Sequence, residues 1–289
     1  MLSNSGEDIS TTMTLSFELL IIISIIAGLV GSMTGMGGGV ILVPALTFFG
    51  VDIKHAIAAS MISVIATSSG SAAAYVREHI TNLKVGMFLE MFTILGAILG
   101  ASITLVSERG LLTILFGTVL IASSGIVLIF GHRCSIIAQQ DRLSRWLELT
   151  GSYHDQAEHR LVEYQASRSY LGGPLMLGAG LIAGLLGIGA GALKVLIFDV
   201  VMGLPTKVST TTSNLIIGVT ALAGSSVYLS AGLIKPGLVA PIALGVVIGA
   251  SAGTVLLVRL RSETVRGLFT AVLILLGVEM ILRGIHGGR

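Results

Sequence analysis

Eight long apolar blocks, in two groups of four, set the limits on what this chain can fold into. They cover residues 15–49, 55–76, 85–106, 110–131, 171–202, 208–230, 236–258 and 265–284. A helix needs about 20 mainly apolar residues to cross a bilayer, so each block is long enough. Only 11% of the residues are charged and mean hydropathy is +0.95. Soluble domains carry about 25% charged residues, so this chain has too little polar surface to coat a water-soluble globule. The expected fold is an all-α polytopic membrane protein of about eight transmembrane helices, with the lipid bilayer as its solvent.

The groups flank one polar stretch. Residues 132–170 hold Arg133, Arg142, Arg145, Arg160 and Arg168 against Asp141, Glu148, Asp155, Glu158 and Glu163. This balanced charge reads as a connector, helical in part near Leu143–Leu149. The expected organisation is a membrane repeat over 1–131, the connector over 132–170 and a second membrane repeat over 171–289. The N-terminal residues have Glu7 and Asp8 but no basic residue, and the apolar run that follows outlasts a signal peptide. It reads as a retained membrane segment.

The repeat shows residue by residue. Ala27-Gly28-Leu29-Val30 matches Ala179-Gly180-Leu181-Ile182. Gly35-Met36-Gly37-Gly38-Gly39 matches Gly187-Ile188-Gly189-Ala190-Gly191 at the same spacing. Lys54, Ser60, Thr67 and Tyr75 then match Lys207, Ser213, Thr220 and Tyr228, and Gly100-Ala101-Ser102 matches Gly249-Ala250-Ser251. An ordered series of this kind indicates duplication, a common build of secondary transporters.

Blocks 15–49 and 171–202 are too long for one simple span, and a glycine cluster interrupts each. Residues 40–49 would rise only about 15 Å as a helix, so each block is expected to be a broken helix or a span with a re-entrant arm. With one crossing per block, Arg77, Lys84, Lys235, Arg283, Arg289 and the connector's arginines share one face with both chain ends. Lys54, Arg109, Lys207, Arg259, Arg261 and Arg266 fall on the other. The positive-inside rule then predicts a cell-membrane protein with the connector and both termini cytoplasmic.

Three constellations could bind a ligand. The first is the paired glycines, Gly35, Gly37, Gly38 and Gly39 with Gly187, Gly189 and Gly191. A broken helix at membrane depth must be buried in protein or line a wet cavity, and the N-terminus of the next arm offers N–H donors to an anion. Close helix packing through small-xxx-small pairs is the competing reading. The second is Ser209-Thr210-Thr211-Thr212-Ser213-Asn214, with Ser60 and Thr67 as first-half counterparts; helix capping competes here. The third is Lys194, a cation inside an apolar block and so a functional candidate, with snorkelling or pairing to Asp199 as alternatives. Glu90 and Glu279 also lie in apolar blocks, near their ends, where interfacial solvation is expected.

Other chemistry is weakly represented. Cys134 is the only cysteine, so neither an intrachain disulfide nor a cysteine metal site is expected. No catalytic residue, metal or cofactor is predicted. Gly249-Ala250-Ser251-Ala252-Gly253 has the letters of a nucleophile elbow but lies in a helical block, without the strand-to-helix turn the elbow needs. A net charge of +2 and 5% aromatics argue against nucleic acid. Oligomeric state is open, a homo-oligomer included.

Together, Ala27-Gly28-Leu29, Gly35 to Gly39, Val43-Pro44-Ala45-Leu46, Gly187 to Gly191 and Lys207-Val208-Ser209-Thr210-Thr211-Thr212-Ser213-Asn214 resemble the sulfite exporter TauE/SafE family. The likeness covers both membrane halves; Ala190 stands where glycine is expected. The resemblance implies an eight-helix inner-membrane permease with a four-plus-four duplication. It also implies secondary transport of sulfite, sulfonates or other small organic anions. A passive anion channel is the alternative.

Overall fold

The computed structural model describes residues 17–77, 80–130, 142–147, 149–155, 160–259 and 262–286. Cys134 and much of the connector fall outside them. The first half holds α1 (Phe17–Thr34), α2 (Gly39–Phe48), α3 (Ile53–Arg77), α4 (Leu83–Val106) and α5 (Arg109–Phe130). The second holds α7 (Ser169–Leu186), α8 (Gly191–Leu196), α9 (Thr206–Ser230), α10 (Pro236–Arg259) and α11 (Ser262–His286), with a π-helical turn over Ile197–Val201 after α8. Between the halves lie α6 (Arg142–Trp146) and an antiparallel hairpin, β1 (Thr150–Asp155) on β2 (Arg160–Gln165), with Thr150 opposite Gln165. The hairpin departs from the all-helical expectation.

Among the described residues, five helices are long and apolar enough to cross a bilayer: α1, α4, α7, α9 and the first nineteen residues of α10. The expected count of eight is larger. Helices α3 and α11 are 25 residues each, longer than the roughly 20 residues a crossing needs.

The outward faces are greasy and the inward faces small or polar. On α4, Met87, Met91, Leu95 and Leu99 are exposed at helical spacing, while Glu90, Thr93, Gly96, Ala97 and Gly100 are buried. Lipid tails are as apolar as leucine, so such helices associate by close backbone packing rather than by hiding apolar area. A methyl added at Gly96 would strike the Leu177 carbonyl oxygen, one at Gly180 that of Thr93, and one at Gly184 that of Ala97. The α1–α10 seam is built alike: Gly28 faces Val246, Gly249 faces Ile25 and Gly253 faces Leu29. The stretch with the letters of a nucleophile elbow is therefore a packing seam, and its Ser251 donates to the Val247 carbonyl at 2.8 Å within α10.

These contacts fix directions. Residue numbers rise together between α1 and α10 and between α4 and α7, so those pairs run parallel. Between α3 and α9 they run oppositely: Ser68 bonds the Asn214 carbonyl at 2.7 Å, while Met61 packs at Gly224. Helices α5 and α11 are also antiparallel, with Gly110 beside Gly284 and Gly117 beside Gly277.

One face gathers the connector and the starts of α4, α7 and α9. Asn82 donates through Nδ2 to the Tyr164 hydroxyl at 3.1 Å and from its backbone N–H to Thr212 Oγ1 at 3.1 Å, and Ser167 N–H meets the Met202 carbonyl at 2.9 Å. The opposite face gathers the end of α2 and the start of α5: Arg109 pairs with Asp52 at 2.7 Å, Lys54 Nζ donates to the Leu105 carbonyl at 2.8 Å, and Arg283 donates to that of Thr47 at 3.0 Å. Thus α1 starts on this second face and α2 returns to it, while α7 starts on the connector face and α8 with its π-helical turn returns there. This corrects the one-crossing count for 15–49 and 171–202. Each block is a down-and-back pair, so the connector does not share a face with the start of α1 and the end of α11.

Candidate functional site

Each glycine cluster ends one helix and starts a short arm. Helix α1 stops at Thr34 and α2 opens at Gly39; α7 stops at Leu186 and α8 opens at Gly191. Gly35 has φ +73° and Gly187 φ +71°, left-handed values that glycine adopts without a Cβ penalty. Ala190 also lies in that region, at φ +47°, whereas Gly38, which it matches in sequence, is at −69°. The alanine therefore occupies a position where a side chain is strained.

The two breaks meet in the protein interior. A methyl on Gly39 would collide with the Gly187 carbonyl oxygen, and one on Gly191 with that of Gly35. Val64 of α3 lies between them, touching the space over Gly37, Gly39 and Gly189. No side chain fits between the two backbones where they touch.

The hydroxyl-bearing helices hold this junction. Ser60 on α3 donates to the Gly187 carbonyl at 2.7 Å, and Ser213 on α9 lies 3.3 Å from the carbonyls of both Gly35 and Gly191. Thr67 accepts from the Gly38 N–H at 3.3 Å. Asn214 donates through Nδ2 to the Ser32 carbonyl at 3.2 Å. Its Oδ1 is buried without a hydrogen-bond partner, as is Ser209 Oγ. Unmet polar atoms in an interior are costly, and Asn214 carries one of these beside the junction.

The structure thus brings Gly35, Gly37, Gly38, Gly39, Gly187, Gly189, Gly191, Ser60, Thr67, Ser213 and Asn214 together, and the Thr210 methyl lies against Gly35. Two members of the polar run serve elsewhere: Thr211 bonds the Lys207 carbonyl in its own helix, and Thr212 holds Asn82.

Lys194 neither snorkels nor pairs with Asp199, which accepts from Thr206 at 3.0 Å. It is fully buried, 3.4 Å from Glu90 Oε2, and bonded to the Thr220 hydroxyl. Thr220 Oγ1 lies 2.5 Å from Glu90 Oε1, and Thr93 Oγ1 2.5 Å from Glu90 Oε2. Glu90 is therefore a buried partner rather than an interfacial carboxylate. Its position eight residues into α4 suggested the interface, but α7 and α9 cover it. A lysine and a carboxylate inside apolar blocks were the signal for this pair. Glu279, by contrast, is half-buried and pairs with Arg283 at 2.7 Å near the end of α11.

The profile of the family described as Sulfite exporter TauE/SafE matches residues 20–280. The chain belongs to the sulfite exporter TauE/SafE family. Two relatives in this setting come from Bacillus subtilis strain 168. The probable membrane transporter protein YunE is 27% identical over 279 residues, covering 94% of this chain and 99% of that protein. The probable membrane transporter protein YdhB is 24% identical over 236 residues, covering 81% and 88%. No solved structure matches. A TauE/SafE member with these apolar helices is a multi-pass membrane protein and a membrane transporter, and both glycine breaks lie inside the stretch that the family profile covers.

Proposed function

We propose that the chain is a secondary carrier for small anions, sulfite, sulfonates or related organic anions, with its substrate held where the two glycine breaks meet. The observation that carries this reading is the reciprocal contact of Gly39 with Gly187 and of Gly191 with Gly35 in the interior. Discontinuous helices crossing near the middle of a bundle are the usual substrate site of repeat-built carriers. The start of α2 directs backbone dipoles at the junction, and Ser60, Thr67, Ser209, Ser213 and Asn214 supply hydroxyl and amide groups. The family's description, a sulfite exporter, supports the substrate class.

The helix directions support an inverted duplication. Helices α3 and α9, matched by the sequence series, pack antiparallel, as do α5 and α11, the last helix of each half, and two halves of opposite orientation require this. Alternating access then consists of rocking one half against the other about the fixed junction. Charge supports the connector face as cytoplasmic: Lys84, Arg142, Arg145, Arg168 and Lys207 lie toward it, against Lys54, Arg109, Lys235 and Arg283 on the other face. The polar connector is then a cytoplasmic module between two membrane halves.

The test is flux of sulfite, methanesulfonate and acetate in proteoliposomes of the full chain. Saturable uptake with counterflow is the expected result. An ohmic, non-saturating current would replace the carrier with a passive channel, and no flux of any anion would remove the anion reading altogether.

A further inference from the structure

We propose that Glu90 is the proton-coupling site of this carrier and that it acts by masking and unmasking the charge of Lys194. The proposal rests on the anion-carrier reading above. Four groups from three segments make the cluster: Glu90 and Thr93 on α4, Lys194 on α8 and Thr220 on α9. Lys194, Thr93 and Thr220 are fully buried and Glu90 nearly so. Stability gives little reason for such a pair, because a buried ion pair is often no better than apolar side chains of the same size. The position matching Lys194 in the first half is Leu42, also fully buried, so the scaffold accommodates an apolar residue there. Thr67, matching Thr220, bonds a backbone N–H instead.

The cluster lies next to the junction. Lys194 is three residues from Gly191, about 4.5 Å along the helix axis. Thr220 is seven residues from Ser213, on the same face of α9 and about 10.5 Å away. With Glu90 ionised, the carboxylate cancels the ammonium and the interior is neutral toward an anion. When Glu90 Oε2 takes up a proton, the carboxyl becomes neutral and Lys194 keeps its charge. The interior then holds one positive charge, and one monovalent anion at the junction balances it. Loss of the proton from Glu90 on the other side restores the pair and expels the anion. One proton and one anion move together, so the step carries no net charge.

Other ionisable groups on the packed elements are engaged elsewhere or lie at the ends, among the described residues. Asp199 accepts from Thr206, and Tyr228 donates to the Gly184 carbonyl at 2.6 Å. Lys84, Lys207 and Tyr170 are exposed near the starts of their helices, Arg168 caps α7 on the same face, and Arg109 pairs with Asp52. Glu90 is thus the carboxylate that faces Lys194.

The experiment uses methanesulfonate, whose charge is constant over the working pH range, in proteoliposomes of the full chain. Wild type is expected to accumulate it down an inward proton gradient, about tenfold per pH unit, as one proton per anion requires. An imposed membrane potential should not change that ratio. Glu90→Gln mimics the protonated state, and its folding is checked by its melting curve. It should still carry out counterflow while its gradient-driven accumulation falls to about onefold, and Lys194→Met should lose both. Accumulation by Glu90→Gln equal to wild type would overturn the proposal, as would wild-type accumulation that follows the potential. Counterflow without any proton effect in wild type rejects the coupling and keeps the carrier. Absence of wild-type counterflow rejects both.

Discussion

Gly39 of the first half lies against the carbonyl oxygen of Gly187 in the second, so closely that a single methyl would not fit. The same contact recurs between Gly191 and Gly35. The two halves therefore touch backbone to backbone at their breaks, and the junction can be tested by adding one carbon.

Gly39→Ala and Gly191→Ala should each destabilise the protein by about 1–3 kcal/mol, the usual cost of overpacking, and abolish counterflow. Gly178, exposed on α7 with open space where a Cβ would go, is the control. Gly178→Ala should leave the melting midpoint unchanged or raise it slightly, since alanine is the better helix former by about 1 kcal/mol. Melting curves in detergent separate the two classes, and equal midpoints for all three would refute the close contact.

Ala190 predicts a gain. Its left-handed backbone costs a residue with a Cβ about 1–2 kcal/mol, and glycine removes the penalty. Ala190→Gly should therefore raise the melting midpoint, although glycine usually lowers it. A lower midpoint would mean that the Ala190 methyl contributes packing that outweighs its strain.

Asp52 predicts a pH dependence. Burial raises its carboxyl pKa, but the hydrogen bond from His55, the Lys54 N–H and the charges of Arg109 and His55 together outweigh burial and hold it below its ordinary 3.8. A carboxylate with a depressed pKa contributes stability that is full above its unfolded value and is lost as pH falls through the folded one. Asp52→Asn should therefore melt below wild type at neutral pH, and the two should converge in acid below the carboxylate range. A difference that persists there would assign the effect to shape rather than charge.

Asn82 ties the connector to the membrane helices. It caps α4 by accepting from the Val85 N–H at 3.0 Å and bonds the hairpin through Tyr164. Asn82→Ala should cost about 0.5–2 kcal/mol as a lost cap and speed proteolysis of the hairpin. Unchanged cleavage would show that other contacts, such as Ser144 with Ser169, hold the connector in place.

The sequence by itself determined the solvent and the breaks. Apolar runs and scarce charge require a bilayer, and the matched Gly35–Gly39 and Gly187–Gly191 clusters locate the two helix interruptions because glycine tolerates the backbone there. Ser60 and Ser213 were legible as a matched pair. Only the tertiary structure decided what these pieces face. Apolar periodicity does not tell an arm that continues from one that turns back, so the direction of each arm came from which helices run parallel. The hairpin within the connector was not legible either, since its strands are only six residues each and β1 holds a single large apolar side chain, Tyr153. Likewise Glu90 sits near a block end in sequence, where solvation at the interface is the expectation. Its burial against Lys194 depends on α7 and α9 packing over α4, a contact between residues more than a hundred positions apart. Local pattern fixes which residues can leave water; only packing fixes which charge each of them meets.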